Sequence, residues 1–111
     1  MDYVGWQRVT EDSLVARGPV EFWGIHGRST AGSAGTIVVF DGANALGRRY
    51  QGYVIPQNTT ERHLEEEPIY FEKGIFVDID AGISMVLVRY RPLREEDLLP
   101  GHNAPAAAEL E

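Results

Sequence analysis

The sequence predicts an all-β protein, a small antiparallel β-sandwich or barrel with extended termini. Three observations support this fold class. Glycine and proline divide the chain into short pieces, apolar residues alternate with other residues within several of these pieces, and no piece keeps a 3.6-residue apolar period over the length of a helix. With 111 residues, the chain has room for one domain.

The first half of the chain contains three strand-like pieces, which are residues 13–29, 36–41 and 48–56. In the first piece the side chains alternate, so that Val20 and Phe22 face one way and Trp23 and Ile25 face the other. The second piece is a compact run of β-branched residues that ends in a turn signal. The third interleaves tyrosine and aliphatic residues until Pro56 ends it.

The most strongly apolar stretch of the chain is residues 73–90. It predicts two strands, residues 75–80 and 83–90, which we expect to form a hairpin closed at residues 80–82. Alternate residues of the first strand are apolar, which is typical of a strand with one face on a core. The second strand is apolar on both faces, and this favours a central position in its sheet.

The segment between Pro56 and the apolar stretch at residues 73–90 has the least regular pattern. Residues 59–67 would turn the fold into a mixed one if they formed a helix capped by Thr59 or Thr60. Because the segment is almost wholly polar, we expect a loop or a single turn instead. Its acidic cluster, residues 61–68, is typical of a solvated loop, and the functional alternative is a patch that meets a basic partner.

The chain divides into three parts, which are an N-terminal arm or first strand (residues 1–12), a β-sandwich domain (13–92) and an extended C-terminal tail (93–111). Trp6, Leu98 and Leu99 place large apolar groups in the terminal segments. We expect both segments to be arms that order mainly on assembly, when a partner covers these groups. For the N-terminal segment, packing of Trp6 on its own domain as a first strand is an equal alternative.

The composition excludes several classes of protein. The net charge is −7, and the ten basic residues are scattered along the sequence, which argues against a surface that follows phosphates. The chain has no cysteine, so it has no disulfide framework and no thiolate zinc site. No apolar run reaches the length of a membrane span, and the first residues lack the pattern of a signal peptide. We therefore expect synthesis in the cytoplasm and no membrane contact.

No catalytic constellation is recognisable, and we predict neither a metal nor another cofactor. The three histidines, His26, His63 and His102, lack the close spacing of a metal site. Asp78 and Asp80 share one face of a strand, but aspartate is favoured next to a turn for local hydrogen bonding. A metal-assisted hydrolase that uses Asp78, Asp80 and His26 is the enzymatic alternative.

Large aromatic residues are the remaining candidates for binding. Such side chains fill a β core or an oligomer interface more often than they line a sugar platform. The candidate interface residues are Trp6, Trp23, Tyr50, Tyr53, Leu98 and Leu99.

Two stretches carry a resemblance to known proteins. They are GPVEFWGIHGRSTAGSAGTIVVFDG, residues 18–42, and YFEKGIFVDIDAGISMVLVRYRP, residues 70–92. The pattern of these stretches resembles small proteins of tailed-phage and prophage structural gene clusters. It runs through a Gly-Pro, a strand, a small-residue loop, a second strand and turn, and a closing apolar pair of strands. The similarity covers residues 13–92 and includes no active-site signature.

The resemblance implies a non-enzymatic component of a bacteriophage virion, in the first place a capsid decoration (cement) protein. It implies partners among copies of the same chain and other virion proteins such as the major capsid protein, without direct contact with nucleic acid. The protein would be made in the cytoplasm of the host bacterium and located in the virion. The alternatives are a neck or tail subunit, or a small β-sandwich module that binds a sugar.

Overall fold

The computed structural model describes residues 5–93, which form eight β-strands. The strands are β1 (Gly5–Val9), β2 (Ser13–Arg17), β3 (Val20–Ser29), β4 (Gly35–Asp41), β5 (Arg48–Ile55), β6 (Thr60–Phe71), β7 (Gly74–Ile79) and β8 (Ile83–Pro92). No helix long and apolar enough to cross a membrane occurs in this part of the chain.

The strands form two four-stranded antiparallel sheets. Sheet A has the order β1-β8-β3-β6, and sheet B has the order β2-β7-β4-β5. Of the connections between successive strands, the one from β4 to β5 stays within a sheet, and the others pass from one sheet to the other. The all-β prediction is confirmed, and its sandwich form is the one observed.

The core lies between the sheets and is built from the alternating inward residues of both. Its fully buried side chains are Val9, Val20, Phe22, Ile25, Ile37, Val39, Ile55, Phe71, Ile75, Val77, Val86 and Val88. Three rings meet at one end of this core, where Phe22 stacks on Phe71 at 5.2 Å between centroids and meets Tyr50 edge-on at 5.6 Å. Burial of this many aliphatic and aromatic groups is what stabilises a domain of this size.

The alternation of inward and outward side chains in β3 is interrupted at Trp23. The sequence alone does not show this interruption. Phe22 pairs with Tyr90 and Gly24 pairs with Arg89, so Trp23 is an extra residue opposite two consecutive residues of β8. Because a bulge shifts the alternation by one residue, Ile25 turns into the core instead of facing outward with Trp23. Gly24 has a φ of 117°, a conformation that glycine adopts readily.

The hairpin predicted for residues 75–90 is wrong. The turn exists, since the amide of Ile83 donates to the carbonyl of Asp80 at 3.1 Å. However, β7 pairs with β2 and β4 in sheet B, and β8 pairs with β1 and β3 in sheet A. The turn therefore carries the chain across the sandwich. The central position predicted for β8 agrees with these pairings.

The loop or single turn expected at residues 59–67 is also wrong, because β6 spans Thr60–Phe71. This strand is polar because it lies at the edge of sheet A. Its half-buried residues include Glu61 and His63, which pair with the inward residues Gly27 and Ile25. The pairing with β3 is interrupted at residues 65–68, which contain the rest of the acidic cluster and Pro68.

The N-terminal segment contains strand β1, which pairs with β8 along its whole length. Of the two alternatives for residues 1–12, the structure thus contains the first strand at Gly5–Val9, and the segment from 10 to 12 leads into β2. The predicted C-terminal tail, including Leu98 and Leu99, lies outside the described residues apart from Leu93.

Candidate interaction surface

The outer face of sheet A gathers side chains from four strands that are far apart in the sequence. Residues paired across antiparallel strands point to the same side, so the partners of core residues identify the inner face and the remaining pairs identify the outer one. We call the outer set the basic face. It includes Trp6, Arg8, Glu21, His26, Arg28, Arg62, Leu64, Met85, Leu87, Arg89 and Arg91, and also Trp23, which lies in the bulge of β3 beside Arg89.

The charge of this face is opposite to that of the whole chain. Among residues 5–93, it carries five arginines and one acidic residue, Glu21. Glu66 and Glu67 lie in the irregular part of β6 that follows Leu64, whereas Glu65 accepts a hydrogen bond from Tyr50 on the inward side. The basic residues that are scattered in the sequence are therefore concentrated in space, because outward positions of β1, β8, β3 and β6 become neighbours.

Arg89 lies at the centre of the basic face, between two tryptophans. Its guanidinium carbon is 5.7 Å from the centroid of Trp6 and 5.8 Å from that of Trp23. At such distances the ring faces attract the cation. The Nε of Arg89 is buried and has no hydrogen-bond partner among the described residues, and Trp6 remains 45% exposed. Trp6 and Trp23, two of the predicted interface residues, thus come together around one arginine.

A buried ion pair holds Trp23 in place. Glu21, which is 6% exposed, accepts hydrogen bonds from Arg91 through Nε at 2.8 Å and Nη2 at 3.1 Å. The Oε1 of the same carboxylate accepts a hydrogen bond from the indole Nε1 of Trp23 at 3.1 Å. Because a two-pronged arginine contact fixes the plane of the carboxylate, it also fixes where the indole can lie.

Arg8, Arg28 and Arg62 complete the positive charge, and all three side chains are exposed. The ion pairs within residues 5–93 are Arg91 with Glu21 and His63 with Glu61, so these three arginines form none with a described acidic residue. Arg8 and Arg62 lie in one row across the sheet with Leu87 and His26 between them. Exposed cations with an aliphatic side chain, Leu87, between them suit a partner that is both acidic and apolar.

Tyr50 and Tyr53, the other candidate interface residues in the described part, lie away from the basic face. Tyr50 belongs to the aromatic cluster of the core, and its hydroxyl donates to Glu65 Oε2 at 2.9 Å. Burial, followed by that hydrogen bond and the charge of Glu65, raises the pKa of Tyr50 to about 12. Tyr53 is 6% exposed, its ring packs on His63, and burial raises its pKa strongly. These tyrosines join the edge strands β5 and β6.

The residues of the enzymatic alternative are not brought together. His26 lies on the basic face of sheet A, whereas Asp78 lies in strand β7 of sheet B. Burial raises the pKa of Asp78, with further contributions from Asp12 and Asp80. Asp12 and Asp80 have local partners, since each accepts a hydrogen bond from a backbone amide of the β7–β8 region. No group of three or more potential metal ligands occurs in residues 5–93.

Two further surface features lie outside the basic face. A cleft of about 280 Å³ opens at the β5 and β6 edge, and its lining residues are Asp41, Arg48, Arg49, Tyr50, Ile69, Tyr70, Phe71 and Glu72. The outer face of sheet B carries an aromatic pair, Phe40 and Phe76, at 6.3 Å between centroids. Val54, in the edge strand of the same sheet, is 67% exposed.

The basic face was missed from the sequence because its residues come from four strands whose order in the sheet had to be known. The alternation of β8 does place Met85, Leu87 and Arg89 on one side, and this was the available signal. Comparisons of the chain with protein-family models, with curated proteins and with solved structures found no match.

Proposed function

We propose that this protein is a non-enzymatic assembly subunit that binds copies of itself and other proteins through the basic face of sheet A. The setting we propose is the virion of a tailed phage, with capsid decoration as the role and a neck or tail subunit as the alternative. This setting rests on the resemblance of residues 18–42 and 70–92 to small proteins of phage structural gene clusters.

The stack of Trp6, Arg89 and Trp23 on an open sheet face is the observation that carries the proposal. Tryptophan and arginine are enriched among the residues that contribute most to binding at protein interfaces. Here one of them, Trp23, is held by its hydrogen bond to Glu21, which is paired with Arg91. A rigid, preorganised patch loses little conformational entropy when a partner covers it.

Binding to phage particles tests the virion setting. Heads are made from the phage or prophage genome that carries the gene, with this gene deleted, and are mixed with the purified protein and sedimented. We expect the protein to sediment with the heads at a fixed ratio to the major capsid protein. Binding to necks or tails alone supports the alternative role. Binding to none of the three particles, or a gene outside any phage genome, contradicts the proposal.

A sugar-binding module is the second candidate, and the cleft at the β5 and β6 edge is the observation that favours it. The cleft combines tyrosine rings with charged side chains, the kind of lining that small polar ligands need. A glycan-array screen of the purified chain tests this candidate. Binding of one glycan class that is weakened by Arg48→Ala, but not by Arg8→Ala on the basic face, would favour the module over the assembly subunit.

A further inference from the structure

The basic face has a complementary segment within the same sequence. Residues 95–99 read Glu-Glu-Asp-Leu-Leu and combine three adjacent acidic residues with two large aliphatic ones. We propose that this segment, which we call the acidic motif, docks on the basic face of a neighbouring copy. The inference rests on the proposed function and names the partner of the assembly surface.

Charge complementarity is the first argument. The basic face carries Arg8, Arg28 and Arg62 as exposed arginines without an ion pair to any described acidic residue. Strands in a sheet lie about 4.8 Å apart, so the row from Arg8 across β8 and β3 to Arg62 spans about 14 Å. An extended segment of five residues covers about 17 Å. The acidic motif therefore matches the row in both charge and length.

Apolar complementarity is the second argument. Leu87 lies in the row between Arg8 and Arg62, Met85 lies in the next row, and Leu64 is 38% exposed at the β6 side. Leucine side chains are stabilised when they leave water and pack against other apolar groups. Leu98 and Leu99 supply two such side chains beside the acidic residues, whereas a nucleic acid strand supplies none. The mixed character of the face thus favours an acidic, leucine-containing peptide over a nucleic acid.

The point where the chain leaves the sheet favours a neighbouring copy over the same copy. The amide of Leu93 donates to the carbonyl of Pro19 at 3.1 Å, so the chain keeps the direction of β8 up to this residue. To reach its own basic face it would have to reverse within residues 94–97, and Asp97 is the one residue among them of a type that favours a turn. The first proline and glycine after Leu93 are Pro100 and Gly101, which follow the acidic motif. The direction of the chain at Leu93 therefore favours the face of a neighbouring copy over that of the same copy.

Paramagnetic broadening in the full-length protein tests the docking directly. The chain has no cysteine, so His102→Cys gives one attachment site for a nitroxide next to the acidic motif. It has two tryptophans, so the indole N–H signals of Trp6 and Trp23 report on the basic face without ambiguity. Nitroxide-labelled protein without ¹⁵N is mixed with ¹⁵N-labelled protein that carries no nitroxide. We expect both indole signals to broaden, while the amide of Leu46, in the loop between β4 and β5, stays sharp.

A matched pair of charge variants provides the control. Glu95→Lys with Asp97→Lys, made in the nitroxide-labelled chain, removes the broadening, whereas Glu109→Lys with Glu111→Lys, an equal charge change in the same terminal segment, leaves it. Broadening that appears only when nitroxide and ¹⁵N are in one molecule overturns the proposal in favour of docking within a copy. If the mixed sample shows no broadening, a single-stranded oligonucleotide is added to it. A shift of both indole signals then identifies nucleic acid as the occupant instead.

Sedimentation of the same samples separates this inference from the proposed function. If the protein self-associates but the indole signals stay sharp in the mixed sample, the acidic motif is not the occupant, and the assembly function stands. If the protein is monomeric at every concentration, both proposals fail.

Discussion

At the scale of single residues, the position of Trp23 on the basic face depends on one buried carboxylate, that of Glu21. Glu21 has three hydrogen bonds from two side chains and lies almost wholly out of contact with water. A buried charge that loses its partner destabilises the folded state more than the intact pair stabilises it, because desolvation is no longer offset. The pair of Glu21 and Arg91 therefore matters most for the geometry of Trp23.

Arg91→Met should lower the free energy of unfolding by about 2–3 kcal/mol, less than the cost for a wholly buried pair because the Arg91 side chain is 24% exposed. Urea denaturation followed by circular dichroism measures this change. Arg28→Met is the control, since it removes an exposed arginine from the same face, and its effect should stay within about 0.5 kcal/mol. Equal effects of the two substitutions would contradict the role given to Glu21.

Tyr50 makes stability depend on pH in the alkaline range. Its pKa rises from 10.0 to about 12 in the folded protein because of burial and its hydrogen bond to Glu65. The unfolded chain therefore loses the phenol proton first, and the stabilisation, complete below pH 10, is lost as the pH rises towards 12. Urea midpoints should fall over this interval, and the fall should be smaller in Tyr50→Phe. An identical decline in both proteins would exclude Tyr50 as a cause.

At the scale of elements, the bulge in β3 brings the backbones of β3 and β6 close together. A Cβ placed on Gly24 would contact the carbonyl oxygen of His63 and the Cα of Leu64, and the φ of 117° disfavours any other residue. The bulge, the bulged Trp23 and the entry of Ile25 into the core depend on this one position.

Gly24→Ala should destabilise the protein by about 2 kcal/mol or more, from strain in the backbone and displacement of β6. Gly32→Ala is the control, because a Cβ on Gly32 has no neighbour within 4 Å, and it should leave stability nearly unchanged. Thermal denaturation of the two variants decides the matter. A Gly24→Ala protein as stable as the Gly32→Ala protein would show that the bulge relaxes easily.

The sequence predicts strands well where one face is apolar. It predicts them poorly where the type of residue depends on which side chains of the other sheet lie opposite. Strands β4, β5, β7 and β8 follow from alternating or β-branched runs. Strand β6 does not, because its inward side is polar and faces the tyrosines of β5 rather than an apolar core. The turn at residues 80–82 is visible in the sequence, but a turn alone does not determine whether the next strand joins the same sheet.

At the scale of the whole molecule, the sandwich separates charge that the sequence mixes. Half of the basic residues lie on the basic face of a chain whose net charge is −7. Periodicity cannot reveal this, since it depends on the order β1-β8-β3-β6. Interfaces with complementary charge associate faster and reject wrong partners, and their affinity falls as salt screens the charges. Under the proposed function, this grouping of arginines favours acidic partners, and other copies of the chain are among them.

Sedimentation velocity of two charge-reversal variants tests most directly whether the basic face is the assembly surface. Arg8→Glu with Arg62→Glu alters the basic face, and Arg48→Glu with Arg49→Glu makes the same charge change at exposed positions of β5 in sheet B. We predict that the wild-type chain self-associates, that the first variant does so at least about tenfold more weakly, and that the second is unchanged. Equal association of the two variants, or a wild-type chain that is monomeric at all concentrations, would contradict the central claim.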